Sequence, residues 1–372
     1  MRRISMATRD ELRGAQGNEG GPQHDHWVRQ KSVMGFEMKA TACIKHAIGG
    51  ASCVVARAVS VSAYQHFSRR LILRTIVIGL CSFATLVTLA IGGPGALAQD
   101  QRKPETLPQR VTFPGADGKT ELVGYVFRPV AATRARLPAV VMMHGRAGPY
   151  SSLAKGVYDA STLSLRHQAW GRIWSDNGYL AVLVDGFGPR GYPQGFARFS
   201  YASRPTELDE VTVRPLDAYA TLAYLRRRVD VIADRIGLQG WSNGGSAAIA
   251  TMDAQAPGIA APTPATGFRA ALMFYPACGL KGQFDNRTFR PYARVRLFHG
   301  SADEEVSHMR CTALVDQSRA NGGDVEIKIY AGATHSFDSP ARSREKVDAN
   351  ATATKGSIEA SLQFFARHIK GK

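Results

Sequence analysis

Apolar and polar residues alternate from Arg110 to Arg128 on either side of Gly115-Ala116-Asp117-Gly118, which predicts a β-hairpin. Beyond it the pattern changes to short, largely apolar runs: Ala139–Met143, Leu180–Val184, Ile236–Gln239, Ala270–Phe274, Val295–Phe298 and Val325–Tyr330. Runs of this length and continuity belong to strands buried on both faces. The stretches between them carry helical spacing. One covers 163–177 and stops at Gly178. A second covers 207–228, with Leu216, Tyr219, Leu222, Ala223 and Leu225 on one side. Residues 243–254, 308–320 and 355–370 complete the set. Strands alternating with helices predict an α/β fold with a mostly parallel central sheet and helices on both faces, formed as a single domain over 99–372. In such sheets ligands bind beyond the carboxyl ends of the strands, so the residues just after each strand are where chemistry is expected.

The first 98 residues read differently. Residues 1–68 show no strand or helix pattern, and are expected to be a disordered extension or to precede a true translation start downstream of Met1. Residues 69–98 have the order of a signal peptide: Arg69, Arg70 and Arg74, then an apolar stretch from Ile76 to Ile91, then Ala96-Leu97-Ala98. The paired arginines fit a twin-arginine signal as well as general secretion. The expectation is a periplasmic or secreted protein cleaved near Ala98. The alternative is an uncleaved membrane anchor, for which the apolar stretch is short against the ~20 residues a spanning helix needs. Two cysteines, Cys278 and Cys311, follow this point, and in an oxidising compartment they are expected to form a disulfide; two buried free thiols are the other reading.

The formal net charge is +17 over 372 residues. No basic run is interleaved with aromatics, and the densest cluster, Arg226-Arg227-Arg228, closes a helical stretch where cations suit the helix dipole. Nucleic acid is therefore not an expected partner. No H-E-x-x-H, Cys/His cluster or phosphate-binding loop is present, so neither metal nor cofactor is expected.

The run at Ile236 leads into Gly240-Trp241-Ser242-Asn243-Gly244-Gly245, a G-x-S-x-G sequence between a strand and an Ala-rich helix. A serine on such a sharp turn needs small neighbours two residues away on either side, and the helix beginning beneath it offers amides to an anion. Ser242 is the expected nucleophile. Its hydroxyl needs a base, and His335, just past the last strand, is placed to reach it; His144, His167, His299, His308 and His368 are the other histidines of the region. Asp303, after the Val295 run, is the expected acid, with Glu304, Glu305, Asp338 and Asp185 as rivals. The order Ser, Asp, His along the chain is that of α/β-hydrolases. The oxyanion site is assigned to the amides of Asn243, next to the nucleophile, and Arg146, in the loop after an early strand. A guanidinium at Arg146 facing the cleft would favour an acidic substrate. Tyr150, Phe187, Trp241 and Tyr275 are the expected lining of the substrate pocket.

With these residues placed, the chain resembles the dienelactone hydrolase family of α/β-hydrolases. The resemblance rests on His144–Gly148, Val184–Gly191, Gly240–Gly245, His299–Asp303 and Ala333–Asp338, and spans about residues 110–370. It implies a compact hydrolase of small-molecule esters or lactones without a large lid. Two positions depart from the family pattern: Ser242 stands where its name-giving enzymes carry a cysteine, and Gly145 where they carry a glutamate tied to that cysteine. The expected activity is that of a carboxylic-ester or lactone hydrolase. The alternatives are a serine peptidase of related fold and a non-catalytic binding protein on the same scaffold.

Overall fold

The structure is a computed structural model, and it describes residues 106–130 and 135–371. The extension, the signal peptide and the cleavage site expected before residue 99 lie outside the described residues. The first hairpin forms as β1 (Gln109–Pro114) and β2 (Glu121–Phe127), antiparallel and joined by a turn in which Asp117 accepts the amides of Lys119 and Thr120. The apolar runs become β3 (Leu137–Met143), β4 (Leu180–Asp185), β5 (Val231–Trp241), β6 (Ala270–Phe274), β7 (Arg294–Gly300) and β8 (Val325–Tyr330). All eight strands join one sheet in the order β1-β2-β4-β3-β5-β6-β7-β8, and every pairing from β4 onward is parallel.

Helices cover both faces. α2 (Arg214–Arg226), α3 (Asn243–Met252) and α4 (His308–Ala320) pack with Ala139, Val141 and Met143 on one side. On the other, Trp170 and Trp174 of α1 (Leu165–Asp176) and Phe364 and Phe365 of a C-terminal helix pack with Val140 and Met142. Alternate residues of β3 thus feed opposite cores, as the two-residue period of a strand requires.

Two helix limits differ from the sequence pattern. α2 starts at Arg214, not near Glu207, because Asp209 accepts the amides of Val211 and Thr212 in a turn ahead of it. A short helix, α5 (Arg342–Glu345), precedes the C-terminal one, α6 (Asp348–Phe365), which starts seven residues before the predicted Lys355. Its first turns are Ala-, Thr- and Asn-rich, and their weak apolar period hid them. Buried Asn350 holds this start, accepting the Thr334 amide and donating to the Arg344 carbonyl.

Cys278, after β6, and Cys311, in α4, form a disulfide between residues 33 apart in sequence. Closing a loop of that length is worth about 3–4 kcal/mol on the chain-entropy estimate. Replacing both cysteines with serine is therefore expected to lower the unfolding free energy by about that much, read as a lower urea midpoint, while leaving turnover at 25 °C unchanged. Equal midpoints in the two proteins would show that the bond contributes nothing.

Candidate active site

The loops after β3, β5, β7 and β8 meet at one end of the sheet. At the end of β5 the chain turns so tightly that Ser242 has φ 50° and ψ −115°, a strained conformation for a residue with a side chain. A Cβ on Gly240 would overlap the Gly244 carbonyl, and one on Gly244 would overlap the carbonyls of Met143 and His144. Glycine at both positions is what allows the turn, and what brings the end of β3 against the first turn of α3.

Ser242 Oγ lies 3.0 Å from His335 Nε2, and His335 Nδ1 lies 2.8 Å from Asp303 Oδ2. A carboxylate accepts only, so Nδ1–H donates to Asp303 and Nε2 is left to accept the Ser242 hydroxyl. Asp303 Oδ1 accepts the amides of Glu305 and Val306, both at 2.9 Å. Burial by itself would push the Asp303 carboxyl up; the hydrogen bond and charge of His335, with those two amides, outweigh it and hold the group below the usual carboxylate range. Tyr275 packs its ring 4.7 Å from the imidazole and limits its rotation.

The rival acids have other partners. Glu304 Oε2 accepts the His335 amide and its Oε1 pairs with Arg344; these bonds overcome burial and hold it at about 2. Glu305 approaches His335 from the Nε2 side, at 3.7 Å, but both its oxygens are taken by Arg146 at 3.0 Å. Asp185 accepts the amides of Phe187 and Gly188 and the hydroxyl of Tyr150. Asp338 is enclosed by the indole N–H groups of Trp170 and Trp241, the Tyr275 hydroxyl at 2.5 Å and Arg166, whose Nε is 3.4 Å away.

A cavity of about 380 Å³ opens above Ser242 and His335. Tyr150, Arg146, Ser151, Leu153 and Arg166 help to line it. Four expectations about this lining are corrected. Trp241 and Tyr275 are fully buried, with their polar atoms turned inward to Asp338, and neither reaches the cavity. Phe187 is buried edge-on against the His144 ring, behind the loop and away from the cavity. The Arg146 side chain lines the cavity, but its charge is committed to Glu305 and its Nη1 to the Phe196 carbonyl.

Two residues outside the sequence-level expectations belong to the site. Arg166 lies in α1 at the cavity wall; its Nε has no hydrogen-bond partner, its single ion pair among the described residues is the one to Asp338, and its side chain keeps 16% exposure. Its spacing of four from Trp170 puts a cation and an indole on one helix face, a sequence signal for this contact. Arg214, at the start of α2, has no solvent exposure and donates to the His144 carbonyl at 2.8 Å and to the Asn243 side chain. No periodicity marks it, because its partners are 70 and 29 residues away. Among the described residues no group of three or more His, Cys, Asp or Glu side chains is arranged to hold a metal ion.

The family model for the dienelactone hydrolase family matches residues 122–369. The chain belongs to this family. It is accordingly a hydrolase of ester bonds. A relative from Bradyrhizobium sp, named a probable 2-oxo-3-(5-oxofuran-2-ylidene)propanoate lactonase, is 26% identical over 265 residues, covering 69% of this chain and 94% of its own length. Among solved structures, a putative dienelactone hydrolase from Klebsiella pneumoniae subsp. pneumoniae superimposes with a TM-score of 0.53 at 17% identity, over 70% of this chain and 98% of that one. Thermogutta terrifontis esterase 2, phosphorylated by paraoxon, gives 0.50 at 18% identity, over 71% and 95%. At these identities the two structures speak to the fold.

Proposed function

We propose that this family member is a serine hydrolase that opens a lactone or cleaves an ester through an acyl-enzyme on Ser242. The observation that carries this reading is the hydrogen-bonded line from Ser242 Oγ through His335 to Asp303 at the floor of a cavity. Ser242 Oγ attacks the carbonyl carbon while His335 Nε2 takes its proton, and Asp303 stabilises the imidazolium so formed. The carbonyl oxygen, now negative, is received by the amides of Arg146 and Asn243, neither of which has a backbone acceptor among the described residues. Collapse breaks the ester C–O bond, and His335 gives its proton to the leaving oxygen. Water then attacks the acyl carbon, with His335 again as base, and releases the acid and free Ser242. A fluorophosphonate is expected to add one phosphonyl group per chain, on the peptide carrying Ser242. A folded protein that takes no label, or takes it elsewhere, would overturn the reading.

The substrate is proposed to carry an acid group. The support is Arg166, which lines the cavity and whose single ion pair among the described residues, to Asp338, is a loose one at 3.4 Å, together with the relative's name as a probable lactonase of a propanoate-bearing lactone. A charge-assisted hydrogen bond is worth about 1.5–3 kcal/mol. Arg166→Gln is therefore expected to raise KM for an acid-bearing aryl ester roughly 10–100-fold, leaving KM for its neutral methyl-capped counterpart within about threefold. Equal effects on both esters would remove Arg166 from recognition.

Export is proposed as well, on the charge, apolar and small-residue order of 69–98 and on the Cys278–Cys311 disulfide, a bond that persists in oxidising compartments. Amino-terminal sequencing of the protein from a periplasmic or culture fraction is expected to begin near Gln99.

A further inference from the structure

Arg214 is a costly residue to bury. It has no solvent exposure, and its Nε and Nη2 take no hydrogen bond among the described residues. Burial lowers its pKa to about 10, with Asp217 and Glu210 opposing the fall, so it stays charged at neutral pH. A buried cation with two unpartnered nitrogens weakens a fold more than an apolar side chain of similar size would. Its single engaged nitrogen, Nη1, holds both halves of the proposed oxyanion site. It donates to the His144 carbonyl in the loop after β3, and to Asn243 Oδ1 in the first turn of α3.

Each half is clamped a second time. Asn243 Nδ2 donates to Glu210 Oε1 at 2.9 Å, and Glu210 is itself held by Arg204 at 3.1 Å. The His144 ring is neutral, driven well below its ordinary pKa by burial and by the Arg214 charge. Its Nε2 accepts the Gly186 amide, so Nδ1 carries the proton and donates to the Gly145 carbonyl at 2.8 Å. In a trans peptide C=O and N–H point in opposite directions. Drawing the Gly145 carbonyl toward the buried His144 ring therefore turns the Arg146 N–H outward, and Gly145 is close enough that a Cβ there would lie 3.5 Å from Ser242 Cβ.

We propose that Arg214 is the positioning residue of the oxyanion site, one buried guanidinium nitrogen tying the Arg146-bearing loop to the Asn243-bearing helix start so that their two amides converge beside Ser242. It touches no substrate. Its effect is confined to the interval in which the oxyanion exists, so it belongs in kcat and in the affinity for tetrahedral analogues, not in KM. The inference rests on the Ser242 acyl-enzyme reading and deepens it.

The test compares wild type, Arg214→Lys, Arg214→Met and Asn243→Ala, each checked for a cooperative unfolding transition. Steady-state hydrolysis of a neutral aryl ester is measured with inhibition by a matched trifluoromethyl ketone, whose adduct mimics the oxyanion. Arg214→Met is expected to lose 100- to 1000-fold in kcat, the loss typical of an oxyanion donor, with KM within about threefold and Ki for the ketone rising in parallel. Arg214→Lys, which keeps the charge and one donor, should fall between. Asn243→Ala keeps its amide and every buried charge, so it remains informative if Arg214→Met does not fold; a loss of about tenfold or more in kcat with unchanged KM supports the proposal. Folded Arg214→Met with kcat and ketone Ki within threefold of wild type would overturn it, as would folded Asn243→Ala with wild-type kcat. Failure of the underlying reading looks different, since wild-type protein would then take no fluorophosphonate on Ser242.

Discussion

Ser242→Ala is expected to lower kcat for ester hydrolysis on the order of 10⁵–10⁶-fold with an unchanged unfolding midpoint. The large effect follows from the loss of the one hydroxyl held 3.0 Å from His335 Nε2 in the cavity floor. The small structural effect follows from what the serine does for the fold. Its amide donates to the Phe274 carbonyl and its carbonyl accepts the Ser246 amide, and both bonds belong to the backbone. Alanine tolerates the positive φ no worse than serine does. The residual rate is expected to come from the two amides of the proposed oxyanion site acting on water's own attack. The measurement is hydrolysis of an activated aryl ester by protein purified apart from any wild-type chain, alongside thermal unfolding. A variant retaining a hundredth of the wild-type rate would remove Ser242 from the reaction.

Asp303→Asn is expected to cost about 10⁴-fold in kcat, although it changes one atom. Asp303 Oδ1 is bound to two amides, of Glu305 and Val306. An asparagine there must keep its carbonyl oxygen on those donors, which puts its NH₂ at His335 Nδ1. The imidazole must then accept at Nδ1 and carry its proton on Nε2, pointing it at Ser242. In that tautomer it cannot take the serine proton. Glu305 offers no rescue, because it lies on the Nε2 side at 3.7 Å and is tied to Arg146 through both oxygens. The expected signature is a lost kcat, a fluorophosphonate reaction slowed by a similar factor yet still on Ser242, and partial recovery at alkaline pH as hydroxide replaces the base. Wild-type turnover in Asp303→Asn would assign the third role to another carboxylate.

The site was legible in the sequence to the extent that its geometry is local. A tight turn after a buried strand demands Gly240 and Gly244 around Ser242, and that demand is written into five consecutive residues. His335 and Asp303 were legible because each follows a strand, and parallel strands place such loops at one end of the sheet. Trp241, Tyr275 and Phe187 were misplaced for the converse reason. Large aromatics beside catalytic residues can face the substrate or support the floor, and the choice depends on partners far along the chain. Asp338, 97 residues from Trp241 and 168 from Trp170, gathers both indoles inward. Likewise the cavity-facing Arg146 turned out to be neutralised by Glu305, 159 residues away.

By itself, the sequence determined the α/β class, the strand positions and the tight turn at Ser242, because each rests on hydrophobic period or on short-range steric demands that neighbours impose on one another; the family was legible as a resemblance of short motifs. Only the tertiary structure decided which carboxylate faces the imidazole, which arginines line the cavity and which is buried behind the loop after β3. Those outcomes are set by pairing between charges brought together from separate loops. An arginine reads the same in sequence whether its partner is a glutamate across the cleft, as for Arg146, or a carbonyl beneath it, as for Arg214.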